Sequence, residues 1–246
     1  DLGSNSFRLL IIAPQGEGWQ VLVEERVRVG LARGLEEGGR LSRSAMARGL
    51  AALRRFRPHL RALGPRRVRA VATDTLRRAE NRQAFLRPAS RLLGVPVEVI
   101  SGSEEAALIY AGAVAGGRGA AERRQLVLDI GGGSTEVAVG LGERPAQGES
   151  LPLGCIPLTG DHFPGGAMDE AALRSAEDTV RRLAAPALGP AREHGWQWAW
   201  GASGTVEAVV GLAAELGVLS PERGLDAAAL AAVRERLLQS DRKSVV

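Results

Sequence analysis

The sequence predicts a mixed α/β fold in which two similar domains face each other across a cleft. Predicted strands and helices alternate along the chain. An acidic residue followed by a glycine turn and a strand occurs twice, at Asp1 and at Asp129. The small, polar segment 116–122 lies between the two copies and is typical of a domain boundary. Because an internal repeat indicates domains of one architecture, we expect one domain at 1–117 and a second at 118–246.

The first half of the chain predicts the order βββαβαβα. Its longest helix has Ser42 as a plausible N-cap, and Gly64 and Pro65 end it. The predicted strands are 7–13, 19–29 (one strand or two), 68–73 and 95–100, and the predicted helices are 41–63, 76–93 and 103–114.

The second half repeats the alternation with a different opening. A strand enters the second glycine turn and another leaves it, and Asp226 is a possible cap of the last helix. The predicted strands are 125–129, 136–139, 150–152 and 196–200, and the predicted helices are 168–188, one from 206, and 225–239.

Composition excludes several classes of protein. The chain of 246 residues contains no apolar run of about 18 residues, so no membrane-spanning helix is expected. The lone Cys155 excludes an intrachain disulfide and fits a reducing cytoplasm. Three scattered histidines give no zinc-ligand spacing. The only lysine, Lys243, lies in the terminal stretch, and we expect either that these last residues are not native or that the chain is cut there. Because there is no Gly-Lys-Ser/Thr motif, a P-loop nucleotide site is excluded.

Charge is unevenly distributed. Between Arg54 and Arg91 there are twelve arginines against only Asp74 and Glu80. This basic region is consistent either with a polyanionic partner or with a solvated arginine-rich surface.

The stretch 126–136 reads Leu-Val-Leu-Asp-Ile-Gly-Gly-Gly-Ser-Thr-Glu. Its apolar start predicts a buried strand that places Asp129 at its end. The glycines allow the backbone to approach a ligand, and successive peptide N–H groups in such a loop can converge on phosphate oxygens. A glycine-rich hairpin turn with acidic flanks is the alternative for this stretch taken alone.

Six motifs in order resemble the exopolyphosphatase and guanosine pentaphosphate phosphohydrolase (Ppx/GppA) family of the actin-like ATPase superfold. They cover nearly the whole chain. The motifs are Asp-Leu-Gly-Ser-Asn-Ser-Phe-Arg-Leu-Leu at 1–10, Ala72-Thr73 with Leu76-Arg77 and Asn81, Ile-Ser-Gly-Ser-Glu-Glu-Ala at 100–106, Leu-Asp-Ile-Gly-Gly-Gly-Ser-Thr-Glu at 128–136, Leu-Gly-Cys at 153–155 and Gly-Ala-Ser-Gly-Thr at 201–205.

The resemblance implies two RNase H-like lobes with mixed sheets, flanking helices and phosphates bound in the cleft between them. It implies a cytoplasmic hydrolase of phosphoric anhydrides that removes terminal phosphate from inorganic polyphosphate, guanosine pentaphosphate or both. Neither a membrane nor a nucleic acid is an expected partner, and a homodimer stays open. The implied phosphate-binding residues are Gly3, Ser4, Asn5, Ser6, Arg8, Thr73, Gly131, Gly132, Gly133, Ser134, Thr135, Gly204 and Thr205.

The resemblance also implies catalytic roles. Glu105 matches the glutamate that activates water. The alternative is a purely structural role, in which Glu105 interacts favourably with the helix dipole from the first turn. Asp129 and Glu136 match carboxylates that hold Mg²⁺ or another divalent cation and orient the water, and Asp1 is the equivalent metal-site residue of the first lobe. Arg77 matches a phosphate-binding arginine that completes the catalytic set.

Two alternatives remain open from the sequence. One is an actin-fold ATPase or sugar kinase, whose glycine turns look alike; the other is a non-catalytic polyanion binder. Members of the family also usually carry a strand before Asp1 and further structure after the last helix, so we expect a clipped first strand and an incomplete second lobe.

Overall fold

The computed structural model describes residues 1–16, 18–65, 67–115, 122–166, 168–220, 222 and 224–239. Its residues group into two compact units, Asp1–Gly102 and Ser103–Val246, called here the first and the second unit. Most of the predicted boundary segment, residues 116–121, and the stretch 240–246 around Lys243 lie outside the described residues.

The first unit is built on two pairs of strands. β1 and β2 form an antiparallel hairpin, and β3 and β4 are parallel. Leu2 bridges Phe7 in antiparallel and Ala72 in parallel fashion, so the chain around residue 2 lies beside both pairs. The elements are β1 (Ser6–Gln15), β2 (Gly18–Arg28), α1 (Arg43–Leu63), β3 (Ala70–Ala72), α2 (Asp74–Arg78), α3 (Gln83–Leu93) and β4 (Val97–Val99).

The limits of α1 follow from its caps. The Ser42 hydroxyl accepts a hydrogen bond from the N–H of Ala45, as expected for an N-cap. Gly64 ends the helix at φ 50°, a left-handed conformation that glycine adopts without steric cost.

The predicted helix 76–93 was wrong as one element, because α2 and α3 are separate. Asn81 lies between them, and its side-chain amide bonds both the N–H and the carbonyl oxygen of Leu41. This long-range pairing holds the connection between the two helices in a non-helical path that helical periodicity could not indicate.

The core of the first unit lies between the helices and the hairpin. Phe7 of β1 and Phe85 of α3 are fully buried, with ring centroids 6.2 Å apart. Gly49 of α1 sits directly against the Phe85 ring, where a Cβ atom would overlap it. The absence of a side chain at this position lets α1 and α3 pack closely.

The second unit contains a four-stranded sheet of order β7-β6-β5-β8, in which β5 and β8 are parallel and the other pairs antiparallel. Of the α-helices in the described residues, one precedes the first strand of this sheet, two lie between its third and fourth strands in the chain, and two follow the last strand. The elements are α4 (Gly102–Ala115), β5 (Arg124–Ile130), β6 (Thr135–Leu141), β7 (Arg144–Leu151), α5 (Cys155–His162), α6 (Glu170–His194), β8 (Trp198–Ala202), α7 (Ser203–Glu215) and α8 (Ala227–Leu238).

Alternating residues of β5 face opposite sides of this sheet. Val127 packs in a cluster with Tyr110 of α4, whereas Leu126 packs in a second cluster with Ala187 of α6. The sheet is therefore covered on both faces. Because α4 packs on this sheet, it groups with the second unit, although the sequence analysis placed residues up to 117 in the first domain.

Two helices differ from expectation. α5 was not predicted, since Pro157 and Gly160 lower its helix propensity, although proline is tolerated in a first turn. α6 continues to His194 through Pro186 and Pro190 instead of ending near 188.

The predicted α/β class is confirmed. Within the described part of the chain, every helix is too short or too polar to cross a membrane.

Candidate active site

The two glycine turns have the same backbone geometry. In the first, the N–H of Gly3 donates to the carbonyl oxygen of Ser6 at 3.2 Å; in the second, the N–H of Gly131 donates to that of Ser134 at 2.9 Å. A Cβ atom on either glycine would lie 2.9 Å from that same carbonyl oxygen. Both turns therefore require glycine at this position, and the repeat seen in the sequence is also a repeat in structure.

The second turn is held on its carbonyl side by the start of α5. The N–H groups of Cys155 and Ile156 donate to the carbonyl oxygens of Gly131 and Gly132, at 3.1 and 3.0 Å. Gly154, just before α5, lies so close that a Cβ atom there would overlap the turn's own backbone. The carbonyl side of the turn is thereby fixed in place.

The N–H groups of this turn are its candidate ligand-binding groups. Among the described residues, no backbone hydrogen bond is donated by Gly132 or Gly133. Adjacent N–H groups of this kind bind anions. The hydroxyl of Thr135, by contrast, donates to the carbonyl oxygen of Leu153 at 2.6 Å, so its first role here is to anchor the strand.

Glu136 is a buried carboxyl group directly beyond the second turn. It is only 3% exposed and faces Asp129 across the β5–β6 pair. Burial and the neighbouring carboxylate of Glu105 raise the pKa of Glu136 from 4.5 to about 7, although hydrogen bonds from Ser150 and Ser134 work against the shift. The Ser150 hydroxyl donates to Oε1 of Glu136 at 2.6 Å.

Glu105 belongs to the same acidic group. It lies in the first turn of α4 and is 8% exposed, whereas the adjacent Glu104 is exposed. Its charge is close enough to Glu136 to disfavour ionisation there, and Asp129 adds a smaller effect of the same sign. A glutamate that only stabilised the helix dipole would have no reason to be buried beside two other carboxylates.

These residues fit a Mg²⁺ ion. In the described ranges, no three His, Cys, Asp or Glu side chains are arranged as a complete metal cage. Magnesium usually takes only one or two protein carboxylates and completes its shell with water and substrate phosphates. Asp129 and Glu136 supply two such carboxylates on paired strands, and the excess of buried negative charge around them is what a cation would offset.

The first turn is joined to α2 through Ser4. Ser4 is buried, with 7% of its surface exposed. Its side-chain oxygen accepts hydrogen bonds from the Thr75 hydroxyl, at 2.8 Å, and from the Thr75 N–H, at 3.3 Å. Thr73, also buried, occupies the N-cap position of α2 without a side-chain cap. The Asn5 Oδ1 atom is buried and accepts no hydrogen bond from the described residues.

The two predicted arginines of the first unit have partners of their own. Arg77 donates to the carbonyl oxygen of Ile100 at 3.1 Å and lies 3.8 Å from the buried carboxylate of Asp74. Arg8 is exposed on β1 and forms an ion pair with Glu24 of β2.

The stretch Gly201–Thr205 joins β8 to α7 beside the second turn. The Ser203 hydroxyl donates to the carbonyl oxygen of Ile130 at 2.6 Å, and Ser203 has φ 81°, the only positive φ of a non-glycine residue in the described chain. Strained backbone of this kind is often found at functional sites. Gly204 and Thr205 follow, half-buried, in the first turn of α7.

Sequence reasoning missed two residues that support the site, Thr75 and Ser150. Their hydroxyls donate to Ser4 and Glu136, which lie 71 and 14 residues away along the chain, and only the Thr-Asp-Thr run at 73–75 gives a local signal. Gly154 and Ser203 belong to two of the six motifs, although the sequence did not indicate their contacts with the second turn.

Comparison with solved structures supports the family. An exopolyphosphatase from Cytophaga hutchinsonii is 26% identical, with a TM-score of 0.86 over 98% of this chain and 79% of that chain. An exopolyphosphatase-like protein is 27% identical, with a TM-score of 0.83 over 99% and 78%. The Ppx-GppA enzyme of Aquifex aeolicus is 24% identical, with a TM-score of 0.77 over 99% and 80%, which shows the shared fold.

The match in sequence extends along the chain as well. The sequence model of the Ppx/GppA phosphatase family covers residues 10–245. The motifs, the repeated glycine turns and the buried acidic group therefore have a common explanation: the chain belongs to the Ppx/GppA phosphatase family.

Proposed function

We propose that this chain hydrolyses the terminal phosphoanhydride bond of inorganic polyphosphate. The observation that carries the proposal is the acidic group formed by the buried Glu105 and Glu136 and the half-buried Asp129, next to the second glycine turn, whose Gly132 and Gly133 N–H groups donate no backbone hydrogen bond among the described residues. Hydrolysis of a phosphoanhydride needs bound phosphates, a positioned water and a base, and these residues supply groups for each.

Phosphate binding is assigned to both glycine turns. The N–H groups of Gly132 and Gly133 would bind phosphate oxygens of the reacting end, and the first turn with Asn5 is a further phosphate-binding candidate of its own unit. Preorganised N–H donors stabilise the charge that develops on the transferring phosphoryl group without having to reorient.

The proton of the attacking water is assigned to Glu105. Glu105 is buried in the first turn of α4 beside Glu136, where its carboxylate oxygens could accept a proton from a water held between them and the phosphates. Asp129 and Glu136 would hold a Mg²⁺ ion, which supplies charge neutralisation of the phosphates when bound. Ser150 orients Glu136 through its 2.6 Å hydrogen bond.

Two observations favour polyphosphate over guanosine pentaphosphate as the substrate: the name of a similar protein and the positive charge of residues 1–102. The Cytophaga protein that resembles this chain is an exopolyphosphatase. Residues 1–102 contain 19 arginines and nine acidic residues, a net charge of +10 that attracts a long polyanion.

The test is phosphate release from long-chain polyphosphate and from guanosine pentaphosphate with Mg²⁺ present. We expect faster release from polyphosphate. Glu105→Gln should lower kcat by roughly 10²–10⁴-fold, the usual contribution of a general base, while polyphosphate binding is retained. Glu104→Gln is the matched control, because it removes the same charge from an exposed position one residue away.

Three outcomes would contradict the proposal. Unchanged turnover in Glu105→Gln would remove Glu105 from the base role. Binding without any phosphate release by the wild type would support a non-catalytic polyanion binder. Hydrolysis of ATP in preference to both polyphosphates would support the kinase-like or ATPase alternative.

A further inference from the structure

Two neighbouring helices of the first unit carry arginine and no acidic residue at all. α1 contains Arg43, Arg48, Arg54, Arg55, Arg57 and Arg61, and α3 contains Arg87 and Arg91. Neither helix contains an aspartate or a glutamate. An ordinary solvated helix surface mixes both signs, because opposite charges three or four residues apart stabilise a helix and like charges destabilise it.

Three of these arginines form one stripe on α1. Arg54, Arg57 and Arg61 follow the i, i+3, i+7 spacing that places side chains on one helix face. All three are exposed, and they lie opposite the buried face that includes Leu53 and Phe56. The stripe is about 10 Å long at the rise of an α-helix.

α3 adds two further exposed arginines to the first unit. Its Arg87 and Arg91, four residues apart, lie on the side of α3 opposite the buried Phe85. The contact of Gly49 with Phe85 holds the two helices side by side. The basic face is defined here as the stripe of Arg54, Arg57 and Arg61 on α1.

Neighbouring acidic residues do not neutralise this face, because other partners already engage them. Glu25 pairs with Arg55 at 2.8 Å and with His59 at 3.3 Å. Glu98 pairs with Arg69 at 3.0 Å. Within the described residues, none of the three arginines of the basic face forms an ion pair, and neither does Arg87 or Arg91.

The chemistry of the face favours a linear phosphate polymer over a nucleic acid. Single-stranded nucleic acids are usually held by basic grooves with aromatic side chains on which the bases stack. The only aromatic rings of α1 and α3 besides His59, those of Phe56 and Phe85, are buried. The face thus offers guanidinium groups alone, which match a ligand made only of phosphates.

We propose that the basic face is a second binding surface for long polyphosphate, separate from the residues that bind the reacting end. The proposal rests on the proposed function. A polymer held here and by the glycine turns is bound at two points, and the second contact raises the effective concentration of the chain end. Long chains should therefore bind more tightly than short ones, which cannot reach both.

The test compares two triple variants of equal charge. Arg54→Gln/Arg57→Gln/Arg61→Gln removes three positive charges from the basic face. Three exposed arginines of the second unit are matched controls, since within the described residues they also form no ion pair; the control variant is Arg144→Gln/Arg182→Gln/Arg192→Gln.

Binding of labelled long-chain polyphosphate is measured by fluorescence anisotropy over a salt series, without Mg²⁺ so that turnover does not interfere. We expect the basic-face variant to bind at least about 10-fold more weakly at low salt, with a log–log salt slope shallower by roughly 2, because three fewer counterion-releasing contacts remain. Binding of tripolyphosphate should not change. The control variant should resemble the wild type.

Further readings separate this proposal from the proposed function. With Mg²⁺, the basic-face variant should hydrolyse tripolyphosphate at the wild-type kcat and show a raised KM only for long chains. Absence of hydrolysis in every protein, with the binding difference intact, would overturn the proposed function and not the surface. Equal long-chain binding by the two triple variants would overturn the surface alone.

A single-stranded RNA of similar length tests the occupant. Loss of RNA binding with unchanged polyphosphate binding would overturn the assignment to polyphosphate. Urea denaturation of each variant checks the fold, and substitutions at exposed arginines should change the free energy of unfolding by no more than about 0.5 kcal/mol each.

Discussion

Asp1 faces Arg8 across the first glycine turn, and Asp129 faces Glu136 across the second. The backbones of the turns match, down to the hydrogen bond from the glycine N–H. The residue two positions after the serine that accepts this bond differs: Arg8 is exposed and paired with Glu24, whereas Glu136 is buried among carboxylates. The two turns thus share one backbone geometry, and under the proposed function the side chain opposite the aspartate would decide whether acid–base and metal chemistry can be added.

The same contrast holds for the whole units. Residues 1–102 have a net charge of +10, and residues 103–246 have 13 basic and 19 acidic residues, a net charge of −6. The formal charge of +4 for the chain hides this division. A basic unit suits capture of a polyanion, and an acidic unit suits a cation and a base.

The largest expected difference between the turns is in turnover. Glu136→Gln should lower kcat on polyphosphate by about 100-fold or more, since a charged group that acts in the transition state is lost. Arg8→Gln, at the equivalent place in the first turn, should lower it by no more than about 3-fold, because an exposed ion pair contributes little. Steady-state phosphate release checks both, and equal losses would mean that the turns share one role.

The next difference is in the pH dependence of stability. The pKa of Glu136 is raised in the folded state from 4.5 to about 7. The contribution of its protonated form to the free energy of unfolding is therefore full below pH 4.5 and is lost as the pH rises through 7. Glu136→Gln should therefore be more stable than the wild type by roughly 2 kcal/mol at pH 8 and little changed near pH 4.5.

Urea denaturation with a chelator present measures this effect. Glu143→Gln, at an exposed position of the same unit, is the control and should leave the pH profile of the wild type intact. A Glu136→Gln profile that follows the wild type at every pH would contradict the burial of the Glu136 carboxyl group.

The shared backbone predicts a shared sensitivity. Gly3→Ala and Gly131→Ala should each lower the free energy of unfolding by about 1–3 kcal/mol, because the new Cβ atom would lie 2.9 Å from a carbonyl oxygen. Gly112→Ala in α4, where the Cβ atom meets open space, should instead be neutral or stabilising by up to about 1 kcal/mol. Tolerance of alanine at only one of the two turns would show that their geometries differ in solution.

The smallest effect concerns the support of the first turn. Thr75→Val removes the hydrogen bond from the Thr75 hydroxyl to Ser4 but keeps the one from the Thr75 N–H, and it should cost about 1 kcal/mol, as for a typical buried hydrogen bond. Thr159→Val is a suitable control, because the hydroxyl of Thr159 bonds a carbonyl oxygen of its own helix at an exposed position. Equal unfolding free energies for the two variants would argue against a structural role of Thr75.

Sequence alone could predict what depends on local pattern. The α/β class, the caps of α1 and the repeat at Asp1 and Asp129 follow from spacing, glycine and side-chain type. A glutamate in a first helical turn, however, looks the same whether it serves the helix dipole or a buried site, and only its tertiary burial identifies Glu105 as part of the acidic group. The break between α2 and α3 was equally hidden, because Leu41 supplies its hydrogen bonds from forty residues away.

The contact of Gly154 with the second glycine turn has a dynamic consequence. α5 and the turn cannot move independently, so the conformational entropy of the turn is lost when the chain folds. Ligand binding then does not have to order the turn. The amide protons of Cys155 and Ile156, held by the turn's carbonyl oxygens, would exchange with solvent only when the turn opens. Those two amides are therefore natural reporters of the turn, readable by hydrogen exchange without any label.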